Sequence, residues 1–450
     1  RGLEAPAGAL GDGEARRVER EAVELQARRA RSGETPILVA EAVGADAVIE
    51  FEAPPNRPDT NGVYGVARDL AAKGLGRLVA TAPAAVPGAF PCPQAIALDF
   101  PKGAENACPA FAGRLIRGVR NGPSPKWLQD RLRAVGLRPI SALVDVTNYL
   151  TYDRARPLHV YDASKITGAI RARLGRAGES FDALDGRRYD VDETMCVIAD
   201  DLGVLGLGGI IGGSQSGSTE ATTDVFVECA YFDPLRTART GRKTGIRSDA
   251  RHRFERGVDP AFIVPGLELA TRMILDLCGG AASEVALAGA PPAGARTVAY
   301  PPTETRRLTG MDVAPERQIA ILSALGFSVQ RADPWLVDAP SWRPDIEGKA
   351  DIVEEIARIE GFDALPAAPL PALRAVEGAG GKVTALETYN RGAPAMNAAI
   401  ARLARSPFQA VLIADSATGA VTAVPGLRRA SPSVRILGTE LWNSDSGIGG

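Results

Sequence analysis

The chain has 450 residues, 45% of them hydrophobic and 24% charged, with a net charge of −2 at neutral pH, enough for two to four domains that each bury a core. This balance excludes a disordered polyelectrolyte and a surface coated in basic charge, yet it permits a local nucleic-acid patch. No apolar run reaches the ~18–20 residues of a membrane span, and the start of the chain is charged rather than signal-like. Five cysteines without metal-type spacing indicate neither a zinc site nor a disulfide framework, so a cytoplasmic setting is expected.

Residues 1–46 are read as an unassigned helical segment, in which the interleaved acids and bases of EARRVEREAVELQARRARSG predict an exposed helix ending at Gly33. Because the first residue is Arg, further sequence upstream is expected. Residues 47–93 read as a structural piece and a linker: a strand in AVIEFEA, a turn in PPNRPD, and a helix in TNGVYGVARDLAAKG ended by Gly74. Asn56 and Asp59 are placed as turn and cap residues. Arg57 either reaches a ligand or satisfies local backbone groups.

Residues 94–290 are predicted to form a mixed α/β module. IALDF and GRLIRGV alternate as strands, KWLQDRLRAVG has helical spacing, and ALVDVTNYL reads as a buried strand. Further strands are expected at MCVIAD, in the glycine-rich LGVLGLGGIIGG and at VFVECAYF, before a helix from Ile263 to Leu277. Arg138, Thr147, Asn148, His159, Glu228 and Ser248 stand within or beside apolar runs, where a buried polar group without a partner costs roughly 1–3 kcal/mol. Six in one module suggest a concave site that hydrogen-bonds a small polar molecule. The glycines lack the following Lys-Ser/Thr of a phosphate loop, so a pocket wall or close packing is the alternative. Eight basic residues between Arg236 and Arg256 either hold RNA phosphates or pair internally with Asp249, Glu255 and Asp259.

Residues 296–371 read as a smaller unit of helix, helix and strand, then WLVDAPSWRPDI as a strand and turn, then the helix DIVEEIARIEGFD. Asp345, Asp351, Glu354 and Glu355 could hold a magnesium ion, or could simply favour a helix N-terminus. Residues 376–450 alternate helix and strand as in a parallel α/β half-domain. The expected fold class is therefore multidomain, α/β and α+β.

The ordered set RPI…VDVTNY…PLH…D, VECAYF and SDARHRFERGVDP resembles the editing module of the bacterial phenylalanyl-tRNA synthetase beta subunit. NRPD…GVARDLAA resembles an N-terminal structural domain of that subunit, and WRPDI…D…EE its small winged-helix-like domain. The resemblance covers about residues 47–372. Both ends depart from it: the family's oligonucleotide-fold domain is not recognisable in the first 46 residues, and the tail is similar instead to a fragment of a type I periplasmic binding fold.

The resemblance implies a phenylalanine-tRNA ligase beta subunit that works with an alpha subunit as an alpha2-beta2 heterotetramer on tRNA(Phe), the alpha subunit binding ATP. It also implies hydrolysis of mischarged tyrosyl-tRNA(Phe). Glu228 would accept the substrate phenol, Ala250 would leave room for the ring, and Ser248, where the family usually has Thr, would bind the polar end. His159, Thr147, Asn148 and Arg138 would hold the ester, the terminal ribose and the attacking water, with His159 either a base or a hydrogen-bonder. Asp345, Asp351, Glu354 and Glu355 match the family's Mg2+ ligands. The alternatives are a free-standing aminoacyl-tRNA deacylase, which would not need the small acidic domain, and a non-catalytic tRNA-binding scaffold subunit.

Overall fold

The computed structural model describes residues 39–43, 46–51, 53–79, 83–293 and 296–365, and beyond these 380–382, 384, 385, 387, 393–405, 408–413 and 417–438. The helix expected before Gly33 lies outside the described residues. The chain divides into two units, one formed mainly by Glu52–Pro366 and the other by Ala9–Phe51 with Ala367–Gly450.

Two β-sheets build the centre of the first unit. The first sheet joins, by antiparallel pairing, β4 (Ala110–Arg117), β5 (His159–Asp162), β12 (Asp224–Tyr231), β13 (Ala281–Ala282) and β14 (Ala286–Gly289). The second orders β11 (Ile211–Gly212), β10 (Val204–Leu207), β9 (Cys196–Ala199), β6 (Ile170–Leu174) and β3 (Ile96–Asp99), with only β3 and β6 parallel.

The period of two along β12 explains how the layers stack. Val225, Val227 and Cys229 point to one face, where they pack with Leu143, Val146, Ile263, Leu267 and Ile274 from two helices. Phe226 and Ala230 point to the other, where they meet Ile170, Ala172, Cys196 and Ile198 of the second sheet. Glu228 shares that inter-sheet face, an acid within the apolar run that follows Asp224.

The stretch ALVDVTNYL is a helix, not the expected strand: α3 runs Ala142–Arg154, after α2 (Lys126–Ala134). Buried Leu143, Val146 and Leu150 recur at i, i+3 and i+7, a helical stripe that the two valines of the run disguise as alternation. Asp145 sits in its first turn and accepts from Ile140 N at 2.8 Å and Ser124 Oγ at 2.5 Å, which fixes the helix entry. The helix α6 (Ile263–Cys278) packs beside α3, and its Glu268 pairs with buried Arg114 of β4 at 2.8 Å.

The smaller domain has an antiparallel sheet of β15 (Thr297–Tyr300), β17 (Trp335–Asp338) and β16 (Ser328–Gln330), covered by α7 (Glu304–Thr309), α8 (Pro315–Ala324) and α9 (Lys349–Glu360). Its core includes Tyr300, Leu322, Val337, Ile352 and Ile356, and Ala72 of α1 (Val63–Ala72) joins it. In the second unit, β1 (Val39–Val43) and β2 (Asp46–Glu50) form a hairpin. The predicted tail alternation is present as α10 (Ala393–Leu403), β18 (Ala410–Ile413), α11 (Ala417–Ala430) and β19 (Arg435–Gly438), with the two strands parallel.

Candidate active site

His159 of β5 stands directly opposite Glu228 of β12 in the antiparallel register, so both side chains rise from the same face of the first sheet. They enter a narrow cavity of about 70 Å³ between the sheets, with Tyr161, Ala250, Phe232 and Phe254 in its walls. The glycine-rich hairpin Gly206 to Gly212 closes the remaining side. That hairpin leads into strands rather than a helix, so it is a wall and not a phosphate loop. The hollow is smaller than the several hundred Å³ that enclose a whole ligand; it takes one end of a side chain.

Glycine at position 212 is required by close approach. A Cβ there would lie 2.3 Å from His159 Cε1, well inside any van der Waals contact. The imidazole lies edge-on to the Tyr161 ring at 4.4 Å, and its buried Nε2 has no hydrogen-bond partner. Burial lowers the His159 pKa to about 4, so the ring is neutral near pH 7 and can offer Nε2 to an incoming polar group. Burial raises Glu228 to about 7, against a hydrogen bond from Tyr161 that lowers it. The Tyr161 hydroxyl donates to Glu228 Oε2 at 2.5 Å. Tyr161 was absent from the sequence expectations, although the alternation in HVYD places it on the face of His159.

The structure brings His159, Glu228 and Ala250 together, and leaves the other expected site residues outside the cavity walls. Ser248 caps α5 (Asp249–Phe254) by accepting from Arg251 N at 3.0 Å, and its hydroxyl donates to Ile210 O at 2.6 Å. It therefore ties that helix to the glycine hairpin and has no free hydrogen for a substrate. Thr147 donates to Val144 O within α3 at 2.8 Å. Asn148 is half-buried and Arg138 exposed, and neither lines the cavity. For Thr147 and Asn148 the cause is the helical state of their segment, which packs on the opposite face of the first sheet, and Arg138 lies in the loop before that helix.

Of the eight basic residues from 236 to 256, five have internal partners. Arg236 donates to Thr194 O, Lys243 pairs with Asp192, Arg251 and Arg256 with Glu255, and Arg253 with Asp249. Arg239, Arg242 and Arg247 are exposed, with no ion pair among the described residues. Arg239 and Arg242 belong to α4 (Pro234–Thr244). Arg247 borders a polar recess of about 660 Å³ that Ser248 and His252 also line.

The acids expected to bind magnesium do not converge. Asp345 and Glu355 both accept from Arg343 at 2.7 Å, and Glu355 also accepts from Arg358 at 2.7 Å. Asp351 accepts from the backbone N of Glu347 and Gly348 at the start of α9, and Glu354 faces solvent. Among the described residues no group of three or more His, Cys, Asp or Glu is placed to hold a metal ion. Three of the four acids are thus bound to a guanidinium or to the helix cap, and Glu354 is left exposed. Arg57, the uncertain residue of the PPNRPD turn, belongs to the same network through Asp59 at 2.9 Å and Asp69 at 3.0 Å.

The B3/4 domain family matches residues 107–279, and the tRNA synthetase B5 domain family matches residues 298–362. The phenylalanine-tRNA ligase beta subunit of Paramagnetospirillum magneticum is 53% identical over 376 residues, covering 80% of this chain and 47% of that protein. That of Novosphingobium aromaticivorans is 54% identical over 341 residues, covering 75% and 42%. The chain thus spans about half the length of the curated relatives it matches. A solved N-terminal fragment of the phenylalanyl-tRNA synthetase beta-subunit from Pyrococcus horikoshii aligns with TM-score 0.40 and 15% identity, over 75% of this chain and 94% of that one.

Proposed function

We propose that this chain, which belongs to the phenylalanine-tRNA ligase beta-subunit family through its B3/4 and B5 regions, hydrolyses tyrosine misattached to tRNA(Phe). In this reading it also supports phenylalanyl-tRNA aminoacylation within a cytoplasmic alpha2-beta2 assembly, in which the alpha subunit binds ATP. Asp345, Asp351 and Glu355 of the small domain are engaged with arginines and backbone N–H groups, so no step is assigned to a metal on them.

The observation that carries this reading is the pairing of His159 and Glu228 across one strand register into one cavity. A tyrosyl phenol entering the hollow would donate to the Glu228 carboxylate. A phenylalanyl ring would leave the carboxylate oxygen that Tyr161 does not engage without a partner, at a cost of about 1–3 kcal/mol. An apolar synthetic pocket rejects an added hydroxyl by only about a hundredfold, so a second site that requires the hydroxyl supplies what the first lacks.

The remaining chemistry is positioning. Neutral His159, through its unpartnered Nε2, would orient the ester or the attacking water at the cavity mouth, and the apolar walls exclude bulk solvent from the ring. Neither a serine nor a cysteine lines the cavity beside His159, so direct attack by water is favoured over a covalent ester on the protein. The deciding experiment compares deacylation of tyrosyl-tRNA(Phe) and phenylalanyl-tRNA(Phe) by the protein. Faster loss of the tyrosyl ester is expected, and equal rates would overturn the assignment.

A further inference from the structure

We propose that Tyr161 is the positioning residue that sets the amino-acid selectivity of this cavity, its hydroxyl gripping one oxygen of Glu228 so that the other is presented as an acceptor. This rests on the reading of the cavity as a proofreading site.

The geometry follows from the sheet. Tyr161 opposes Phe226 in the register, which makes it the diagonal neighbour of Glu228 on the same face. Gly113 opposes Glu228 on β4, and the Phe226 ring fills the space a side chain there would take, since a Cβ on Gly113 would lie 1.9 Å from Phe226 Cζ. Phe226 is thereby tilted under Gly113, and the Tyr161 phenol is left to reach the carboxylate. With side chains only 2% and 6% exposed for Tyr161 and Glu228, the bond is sheltered from competing water.

Among the described residues no cation compensates Glu228. The groups on its side of the sheet are His159 from β5, Cys196 from β9 and Cys108 from the turn before β4. Burial keeps these two thiols protonated and the imidazole neutral near pH 7. Among the described residues, the phenol of Tyr161 is the one side-chain donor to Glu228. A hydrogen bond to the charged form favours that form, so this phenol keeps the carboxylate an acceptor close to neutral pH and stops it from rotating. Without it, the acid would protonate, turn, and become as ready to donate as to accept. The distinction between a phenol and a bare ring would blur.

The test is Tyr161→Phe, read as the ratio of tyrosyl to phenylalanyl ester hydrolysis from about pH 6 to about pH 8.5, with buffer-only rates subtracted. The ratio is expected to fall about tenfold near neutral pH, in keeping with a hydrogen bond to a charged group, and to recover as pH rises. An unchanged ratio at every pH would overturn the proposal. A second variant, Glu228→Gln, removes the ionising group; its ratio is expected to lose pH dependence, and adding Tyr161→Phe to it is expected to change the ratio no further. A ratio that stays pH-dependent without the carboxylate also overturns the role of Tyr161. Failure of the wild-type protein to discriminate at all would instead strike the proofreading reading itself, so the two failures are separable.

Discussion

Arg343 donates to Glu355 at 2.7 Å with only 3% and 2% of the two side chains exposed, and this pair organises the acids of the small domain. Burial alone would raise Glu355, but bonds from Arg358 and Arg343 hold it down at about 2. Arg358 extends the network to Asp69 of α1 at 2.8 Å. The network therefore fastens the N-terminal helix to the small domain.

Removing one partner of a buried pair strands the other, which costs about 3–5 kcal/mol. Glu355→Ala is expected to lower the unfolding free energy by that order in a denaturant titration. Magnesium is expected to leave the wild-type midpoint where it is. A magnesium-dependent stabilisation that Glu355→Ala abolishes would show that the acids reorganise around a metal after all.

What the sequence made legible, and what it hid, divides along physical lines. His159 and Glu228 stood out as polar groups inside apolar runs, as did four residues that lie outside the cavity, and it is the register that sets these two face to face. Glu355 looked like a ligand because of its spacing from the other acids, but its partners are two arginines, at positions 343 and 358, and one-dimensional spacing cannot tell a guanidinium from a metal ion. ALVDVTNYL reads as a strand because valine and threonine favour strands, whereas the i, i+3, i+7 stripe of the helix it forms shows only when followed to Leu150. Tyr161 was passed over because a tyrosine in a strand is ordinary; its importance comes from a diagonal contact with a residue 67 positions away.

Ser248 makes two bonds at once, to Arg251 N and Ile210 O. Ser248→Ala is expected to cost about 1 kcal/mol as a lost helix cap. It also releases the hairpin from α5, so tyrosyl-ester hydrolysis should fall more than the stability loss alone explains. Ser248→Thr, which keeps the hydroxyl, should restore both. Measuring thermal unfolding and deacylation on the same preparations separates the two effects.

Glu228 predicts a pH signature in stability. Its folded pKa of about 7 lies above its ordinary value of 4.5, so between these the folded state binds more protons than the unfolded state. Stability contributed by the protonated acid is fully present below about pH 4.5 and is lost as pH rises through about 7. The full difference is on the order of 3 kcal/mol. Glu228→Gln should remove this slope, so the variant's stability relative to wild type should improve steadily between those two pH values. A constant difference across the range would mean that the carboxyl is not buried in solution.

Arg239, Arg242 and Arg247 point into solvent, while their five basic neighbours are held internally. If these three meet phosphates, each substitution to Ala should reduce the salt dependence of tRNA binding by about one phosphate contact. Arg253→Ala should act on stability instead, since its guanidinium is 5% exposed and bonds Asn61 O and Asp249. Binding isotherms at several salt concentrations distinguish the two groups. Equal salt slopes for wild type and the Arg239 and Arg242 variants would remove this face from the RNA interface.

The close approach of Gly212 to His159 supplies the sharpest steric test. A methyl group on residue 212 would sit 2.3 Å from Cε1 and 2.8 Å from Nε2 of the ring, so the imidazole must swing away from the hairpin or the hairpin must open. Overpacking of this kind costs about 1–3 kcal/mol, which a folded domain of this size tolerates. The displaced Nε2 would no longer face the cavity, and Gly212→Ala is expected to lose most ester hydrolysis while remaining folded. The matched control is Gly217→Ala on the same segment, where an added Cβ would meet nothing closer than Ser214 O at 3.4 Å. That variant should keep near-wild-type rates. If both glycine variants lost activity equally, general flexibility of the hairpin would explain the result, and the position of the imidazole would not.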